Sequence, residues 1–166
     1  VLRLMGRRYT VNDFRQLVDK LRKNVPDITI VTDIICGFPG ETEDAFENSI
    51  KLIREVEPDF VNVSKFGPRP GTPAAKMRKL PTGIVKERSR VMSRLAIDIA
   101  TKRNTKWIGW IGNVIIDEEG RNGTVMGRNY AYKPIVVSGG RELIGRIVKV
   151  EIVNAASTHL KGVLVS

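Results

Sequence analysis

The hydrophobic pattern changes character once along this chain, near Asn104, and that change limits the fold more than any other feature. Ahead of it, apolar residues recur at helical spacing between short β-branched runs; behind it, only short β-branched runs remain, divided by glycine-bearing turns. Alternating helices and strands suit right-handed α/β units on a parallel sheet, whereas closely spaced strands suit a small barrel. The chain has 166 residues, 42% of them hydrophobic, which is enough for one sizeable core or two small domains. The expectation is therefore α/β plus β: an α/β domain over residues 1–104 and a small antiparallel β-barrel over 105–166.

Thr10-Val-Asn-Asp13 has the spacing of a capping box, and Phe14, Leu17, Val18 and Leu21 follow at helical intervals. They predict a helix over 11–24 that ends before Pro26. "ITIVTDII" is apolar on both faces, as a central parallel strand would be. A second helix is predicted over 43–56, with Phe46, Ile50 and Ile53 inward and Leu52 a further candidate. "FVNVSKF", 60–66, is a second strand, and "GPRPGTPAAKMRKLPT" a loop. Pro81 suits the first turn of a basic helix over 81–104, whose apolar stripe would be Ile84, Val91, Leu95 and Ile99, with Met92 optional. Five strand candidates follow, with turns at "DEEGRNG" and "SGGRE". The opening "VLRLMGRRYT" reads as part of an amphipathic helix, which suggests a piece of a longer protein.

No apolar run approaches 18 residues, so no membrane partner is expected. Cys36 is the single cysteine, which favours a reducing, cytoplasmic setting and excludes an intrachain disulfide. One cysteine also falls short of the three or four ligands of a zinc or iron–sulfur site. His159, the single histidine, has no nucleophile signature around it and reads as a surface residue. The net charge of +10 is unevenly placed: residues 65–106 hold 12 Lys and Arg against two acids, and the rest balances at 16 of each. Concentrated positive charge is the footprint of a polyanion-binding surface.

"CGFPGE" stands where a strand gives way to a helix, the usual place for a ligand in α/β folds. Gly37 and Gly40 would let backbone approach it, Phe38 and Pro39 would offer a flat wall, and Glu41 lies at the helix start. Taken alone, such a turn with an acidic cap reads first as a connection; without a lysine it is no phosphate loop. Arg69, between two prolines, could point at a substrate or phosphate or simply form an ion pair. Arg78, Lys79, Lys86, Arg88, Arg90 and Arg94 are interchangeable candidates for phosphate contact or for solvating a helix face. In "MGRNYAYKP", Arg128 and Lys133 flank Tyr130 and Tyr132, a mixture of cations and rings that suits single-stranded RNA, though tyrosines also fill small barrels. Trp107 and Trp110 read as packing residues.

"TDIICGFPGET", then "PRPGTPAAKM", then a barrel of this kind together resemble the radical-SAM tRNA methylthiotransferases. The likeness is strongest to the archaeal and eukaryotic branch that acts on threonylcarbamoyladenosine, and it runs from "LRLMGRRYT" through "GVLV". It implies the C-terminal portion of a partial radical-SAM (β/α) barrel over 1–104, including the basic connecting helix 81–104. Residues 105–166 would be a TRAM domain, an OB-like RNA-binding barrel. Ile35, Gly37 and Glu41 fall on the family's Ile-x-Gly-x-x-x-Glu pattern against the adenine of S-adenosylmethionine. Phe38, Pro39 and Gly40 complete that turn, and Asp33 stands where the pattern often has glycine. The likeness also makes Arg128, Asn129 and Tyr130, with Lys133, the expected TRAM contacts to tRNA, joined by Arg69, Arg78, Lys79 and Arg88. The parent would carry two [4Fe-4S] clusters on cysteines that this sequence lacks, so neither catalytic nor metal residues are expected here. Its activity would be conversion of N6-threonylcarbamoyladenosine beside the anticodon to the 2-methylthio form. Expected partners are tRNA, the N-terminal part of the same protein and, through open strand edges, other copies of the chain. The alternative is a stand-alone RNA-binding module.

Overall fold

A computed structural model describes residues 1–165. They form two compact units: residues 1–26 with 30–97, and residues 27–29 with the rest from Asp98. The division falls inside a helix, seven residues ahead of the Asn104 suggested by composition.

In the first unit, residues 1–7 form one helical turn closed by Gly6. Arg7 N–H reaches Leu2 O at 2.9 Å and Gly6 N–H reaches Arg3 O at 3.0 Å, with Gly6 left-handed at φ +73°. Helix α1 spans Val11–Asn24, and its capping box is complete. Strand β1 spans Val31–Cys36, helix α2 Glu43–Val56 and strand β2 Phe60–Lys65. β1 and β2 pair in parallel, Val31 opposite Phe60 through Cys36 opposite Lys65. A four-residue helix, α3 (Pro73–Lys76), interrupts the expected loop, and α4 runs from Thr82 to Thr105. The unit's core includes Val18, Ile30, Cys36, Phe38, Phe46, Ile53, Val61 and Met92.

One expectation fails here and another holds only in part. The apolar run of β1 predicts a central strand, yet β1 pairs only with β2 among the described residues, and Val31 is 60% exposed. The stripe of α4 holds in part: Met92 and Ile99 are buried as expected and Leu95 is half-buried, but Ile84 and Val91 are exposed, and Arg88, Ala96 and Ala100 are buried in addition. An arginine lies on the inner face because carboxylates await it there.

The second unit is a closed barrel of five strands: β3 (Ile111–Glu119), β4 (Thr124–Arg128), β5 (Pro134–Ser138), β6 (Ile147–Ala155) and β7 (Leu160–Leu164). Their order round the barrel is β3-β4-β5-β7-β6, OB-like in having five closed strands. It is not wholly antiparallel, because β5 and β7 pair in parallel. Bulges between Ile116 and Glu118, and between Ile152 and Asn154, bend the two longest strands round the core. Val114, Ile116, Val125, Ile135, Val137, Val150, Ile152 and Leu160 fill that core, each worth roughly 1.5–3 kcal/mol relative to exposure. Trp107 joins them, with Trp110 edge-on against it at 5.6 Å, so both tryptophans pack.

Candidate nucleotide and nucleic-acid sites

The turn after β1 is held from behind. Glu41 N–H closes it on Phe38 O at 2.9 Å. The buried Glu41 carboxylate then folds back, so that its Oε2 accepts from Gly37 N–H at 3.0 Å and from Arg88 Nη1 at 2.7 Å. Arg88 Nη1 also donates to Glu41 O, and Nη2 to Glu43 Oε2 at 2.7 Å. The Arg88 guanidinium lies 5.3 Å from the Phe46 ring centroid. Burial works against the charge of Arg88, but Glu43 and Glu41 more than offset it and hold its pKa above the ordinary value. One arginine thus fastens the start of α2 and the turn to α4. Gly37 is left-handed at φ +77°, and a Cβ there would come within 2.6 Å of Val85.

That arrangement changes what the turn offers a ligand. Phe38 is 4% exposed and packs edge-on against Phe66 at 5.1 Å, while Pro39 is fully buried. Neither forms an open wall, and Gly37 N–H is already taken. Of the six predicted pocket residues, Ile35 is half-buried and Gly40 exposed, while Gly37, Phe38, Pro39 and Glu41 are buried. Ile35 shares a strand face with Val31 and Asp33, in register with Ser64, Phe60 and Asn62. Across that face Asn62 Nδ2 donates to Asp33 Oδ1 at 3.0 Å, a polar pair that no local motif announces.

Cys36 is buried, and its thiol is pushed up to about 11 by that burial, then by the charge of Glu41. Metal ligation needs the thiolate, so this sulfur is a poor ligand. Among the described residues, no three His, Cys, Asp or Glu side chains gather as a metal site would need.

The predicted cations divide in two. Arg69, Arg78, Lys79, Lys86 and Arg94 are exposed, and Arg69 has no ion pair among the described residues. Lys86, Arg90 and Arg94 follow at four-residue intervals on the outer side of α4, with Arg90 paired to Glu87 at 2.7 Å. The cations Arg88 and Lys133 are instead buried, at 6% and 3% exposure, as is the neutral Asn129, also expected to contact RNA, at 6%. Their side chains serve the fold and are not presented to a polyanion.

In the barrel, Asn129 organises the β4–β5 loop. Its Oδ1 accepts from Ala131 N–H at 3.1 Å and Lys133 N–H at 3.0 Å. Lys133 Nζ donates to Asn104 Oδ1 at 2.9 Å, and Asn104 Nδ2 to Ala156 O at 2.7 Å. Tyr130 and Tyr132 project from this loop, 68% and 69% exposed. Tyr130 donates to Asp27 at 2.7 Å, which raises its pKa. Arg128 lies 4.9 Å from the Tyr132 ring centroid and pairs with Glu118 at 3.1 Å and Asp117 at 3.4 Å.

Known families match both units. Residues 108–165 match the TRAM domain and residues 1–53 the radical SAM superfamily. A probable threonylcarbamoyladenosine tRNA methylthiotransferase of Pyrococcus abyssi is 47% identical over 166 residues, all of this chain and 39% of that protein. The human threonylcarbamoyladenosine tRNA methylthiotransferase is 38% identical over all of this chain and 28% of its own length. A tRNA-2-methylthio-N(6)-dimethylallyladenosine synthase of Bacillus cytotoxicus is 38% identical over 99% of this chain and 33% of its own. The chain thus spans no more than about two-fifths of the length of these relatives.

Proposed function

We propose that the chain, which is similar along its whole length to tRNA methylthiotransferases and matches the radical SAM superfamily and the TRAM domain in its two halves, works as the C-terminal part of such an enzyme. The parent would convert N6-threonylcarbamoyladenosine next to the anticodon to its 2-methylthio derivative, in a reducing, cytoplasmic setting. Here this chain would supply one wall of the cofactor pocket and much of the tRNA grip.

The observation that carries this reading is the clamped turn. Ile35, Gly37 and Glu41 match the Ile-x-Gly-x-x-x-Glu pattern that the resemblance would put against adenine, and in support the Glu41–Arg88 pair fixes the backbone at the strand's end. S-adenosylmethionine fits this chain in part: Ile35 on the open strand face would touch the adenine, Gly40 would border it, and Gly37, Phe38, Pro39 and Glu41 would hold the turn from behind. Bound at a cluster, that cofactor supplies radical and methyl chemistry. The clusters themselves do not fit here, because the one thiol is buried and kept protonated, so their ligands would come from elsewhere in the parent. Asp33, with Asn62 beside it, would meet polar groups of a ligand on the open face.

The threonylcarbamoyl preference draws on the 47% identity to the archaeal relative. The human and Bacillus relatives, of different substrates, are equally similar at 38%, so the test must read the nucleoside itself. Deleting the gene in its host should remove 2-methylthio-N6-threonylcarbamoyladenosine from digested tRNA. The native product, purified without oxygen, should exceed 18.5 kDa and contain iron. A native mass near 18.5 kDa without iron, with nucleosides unchanged, would favour the RNA-binding module.

A further inference from the structure

We infer that Tyr132 is a base-stacking platform for an unpaired ribonucleotide, held outward by a left-handed backbone. The inference rests on the tRNA reading above and assigns one contact within it. Four non-glycine residues among those described have positive φ: Asp27, Glu57, Asn122 and Tyr132. Asp and Asn tolerate that region through local hydrogen bonds, and Glu57 ends α2 as its cap. Tyr132, at φ +62°, has neither explanation. A bulky side chain in this region is strained, and such strain persists where the surroundings enforce it, often at recognition sites.

The surroundings do enforce it. Tyr132 N–H bonds to Asn129 O at 2.9 Å, and the buried Asn129 side chain bonds to the residues on either side of Tyr132. The loop is set before any ligand arrives, which lowers the ordering cost of binding. What it presents is an aromatic ring, 69% exposed. Its hydroxyl makes no hydrogen bond among the described residues. Tyr130 is differently employed, with its hydroxyl on Asp27 and its ring 5.9 Å and 6.2 Å from Trp107 and Trp110.

Arg128 fixes what the shelf can read. Its guanidinium lies against the Tyr132 ring, but Glu118 and Asp117 already match its charge. A phosphate placed there would meet two carboxylates, whereas a base would stack on the ring without that repulsion. The shelf is therefore sequence-tolerant, since every base has a π-face. Phosphate contacts fall to the exposed cations elsewhere in the chain.

The test titrates the whole chain into fluorescein-labelled single-stranded RNA and into a tRNA anticodon stem-loop over a range of salt. Tyr132→Ala and Tyr132→Gly should weaken binding about 5- to 100-fold, and Tyr132→Phe should stay within about twofold. The slope of log K against log salt should be unchanged in all three, because the ring neutralises no phosphate. Tyr132→Gly should melt no lower than wild type, since glycine adopts positive φ freely. Wild-type affinity in the Ala and Gly variants would overturn the assignment and leave the RNA reading standing. A shallower salt slope would make the site a phosphate contact, and a lower melting point for Tyr132→Gly would make the ring a packing residue; either result overturns the platform. If the wild-type chain binds neither RNA, the RNA reading itself fails, and this assignment with it.

Discussion

Arg88 joins a buried carboxylate, an exposed carboxylate and a phenylalanine ring at one point, so its loss should be felt well beyond its own side chain. Arg88→Ala would leave Glu41, 5% exposed in its side chain, charged and without its main partner, which costs about 3–5 kcal/mol for a buried pair. Glu41→Gln should cost less, because Gly37 N–H keeps an acceptor and Arg88 keeps Glu43; urea unfolding of the two variants measures the difference. A second consequence concerns Cys36. Its folded pKa, about 11, lies above the ordinary 9.0, so folding favours the protonated thiol. The stability this contributes is full below the unfolded pKa and is lost as pH rises from about 9 towards 11. At pH 8 the thiolate fraction is about a hundredfold lower than in the unfolded chain, so iodoacetamide should label native protein at least that much more slowly. Native labelling at the unfolded rate would show that the sulfur is not buried as described. In the parent, Cys36→Ala should leave iron content unchanged.

At the scale of elements, the turn at Gly37 and helix α4 form one device, because the helix fills the space that a side chain at Gly37 would need. Gly37→Ala combines a left-handed φ, about 1–2 kcal/mol for an L-residue, with the approach to Val85. Adding Val85→Ala should recover the steric part and leave the backbone part, so the double variant should be more stable than the sum of the two single losses. Purely additive losses in thermal unfolding would mean that the two residues do not meet. The outer side of α4 supports a different measurement. If the cations there hold tRNA phosphates, changing Lys86, Arg90 and Arg94 together to Gln should flatten the salt dependence by about one unit for each phosphate released; an unchanged slope would place the grip elsewhere. This helix also shows where the sequence stopped being legible. Its length, the capping box of α1, the span of α2 and the five barrel strands could all be read from spacing and turn residues. The stripe of α4 could be read only at Met92 and Ile99, because completing it required placing an arginine inside. Val85, Met92 and Ile99 recur at seven-residue intervals and held the clue, but a buried Arg88 makes sense only once Glu41 and Glu43 stand opposite. The same holds for Asn129 and Lys133, whose partners Ala131 N–H and Asn104 come together only when the loop has formed. Ile35 and Glu41 were recognisable as a pattern, yet which of the turn's residues would be buried depended on packing that no local signal records.

For the whole molecule, the two units differ in how completely each satisfies its own backbone. The barrel closes on itself, so each of its strands has a neighbour on both sides. Among the described residues the first unit has a two-stranded sheet, with β1 and β2 each paired on one edge only and Val31 and Phe60 exposed side by side. An open edge with apolar side chains beside it is a template for another strand, so the isolated chain should associate as its concentration rises. Sedimentation should show the weight-average mass climbing above 18.5 kDa, and Val31→Lys should oppose the climb by placing a charge beside the open edge. Hydrogen exchange should report the same asymmetry, because amides that open locally exchange without global unfolding. Barrel amides should be protected to the limit of global unfolding, and β1 amides should exchange sooner. Association should then slow exchange in β1 or β2, the two strands with an open edge, and leave the closed barrel unchanged. A chain that stays monomeric at all concentrations, with β1 as protected as the barrel, would show that the first unit completes itself. The expected partnership with an N-terminal part of a longer parent would then lose the open edges that support it, and the RNA-binding module would become the better account.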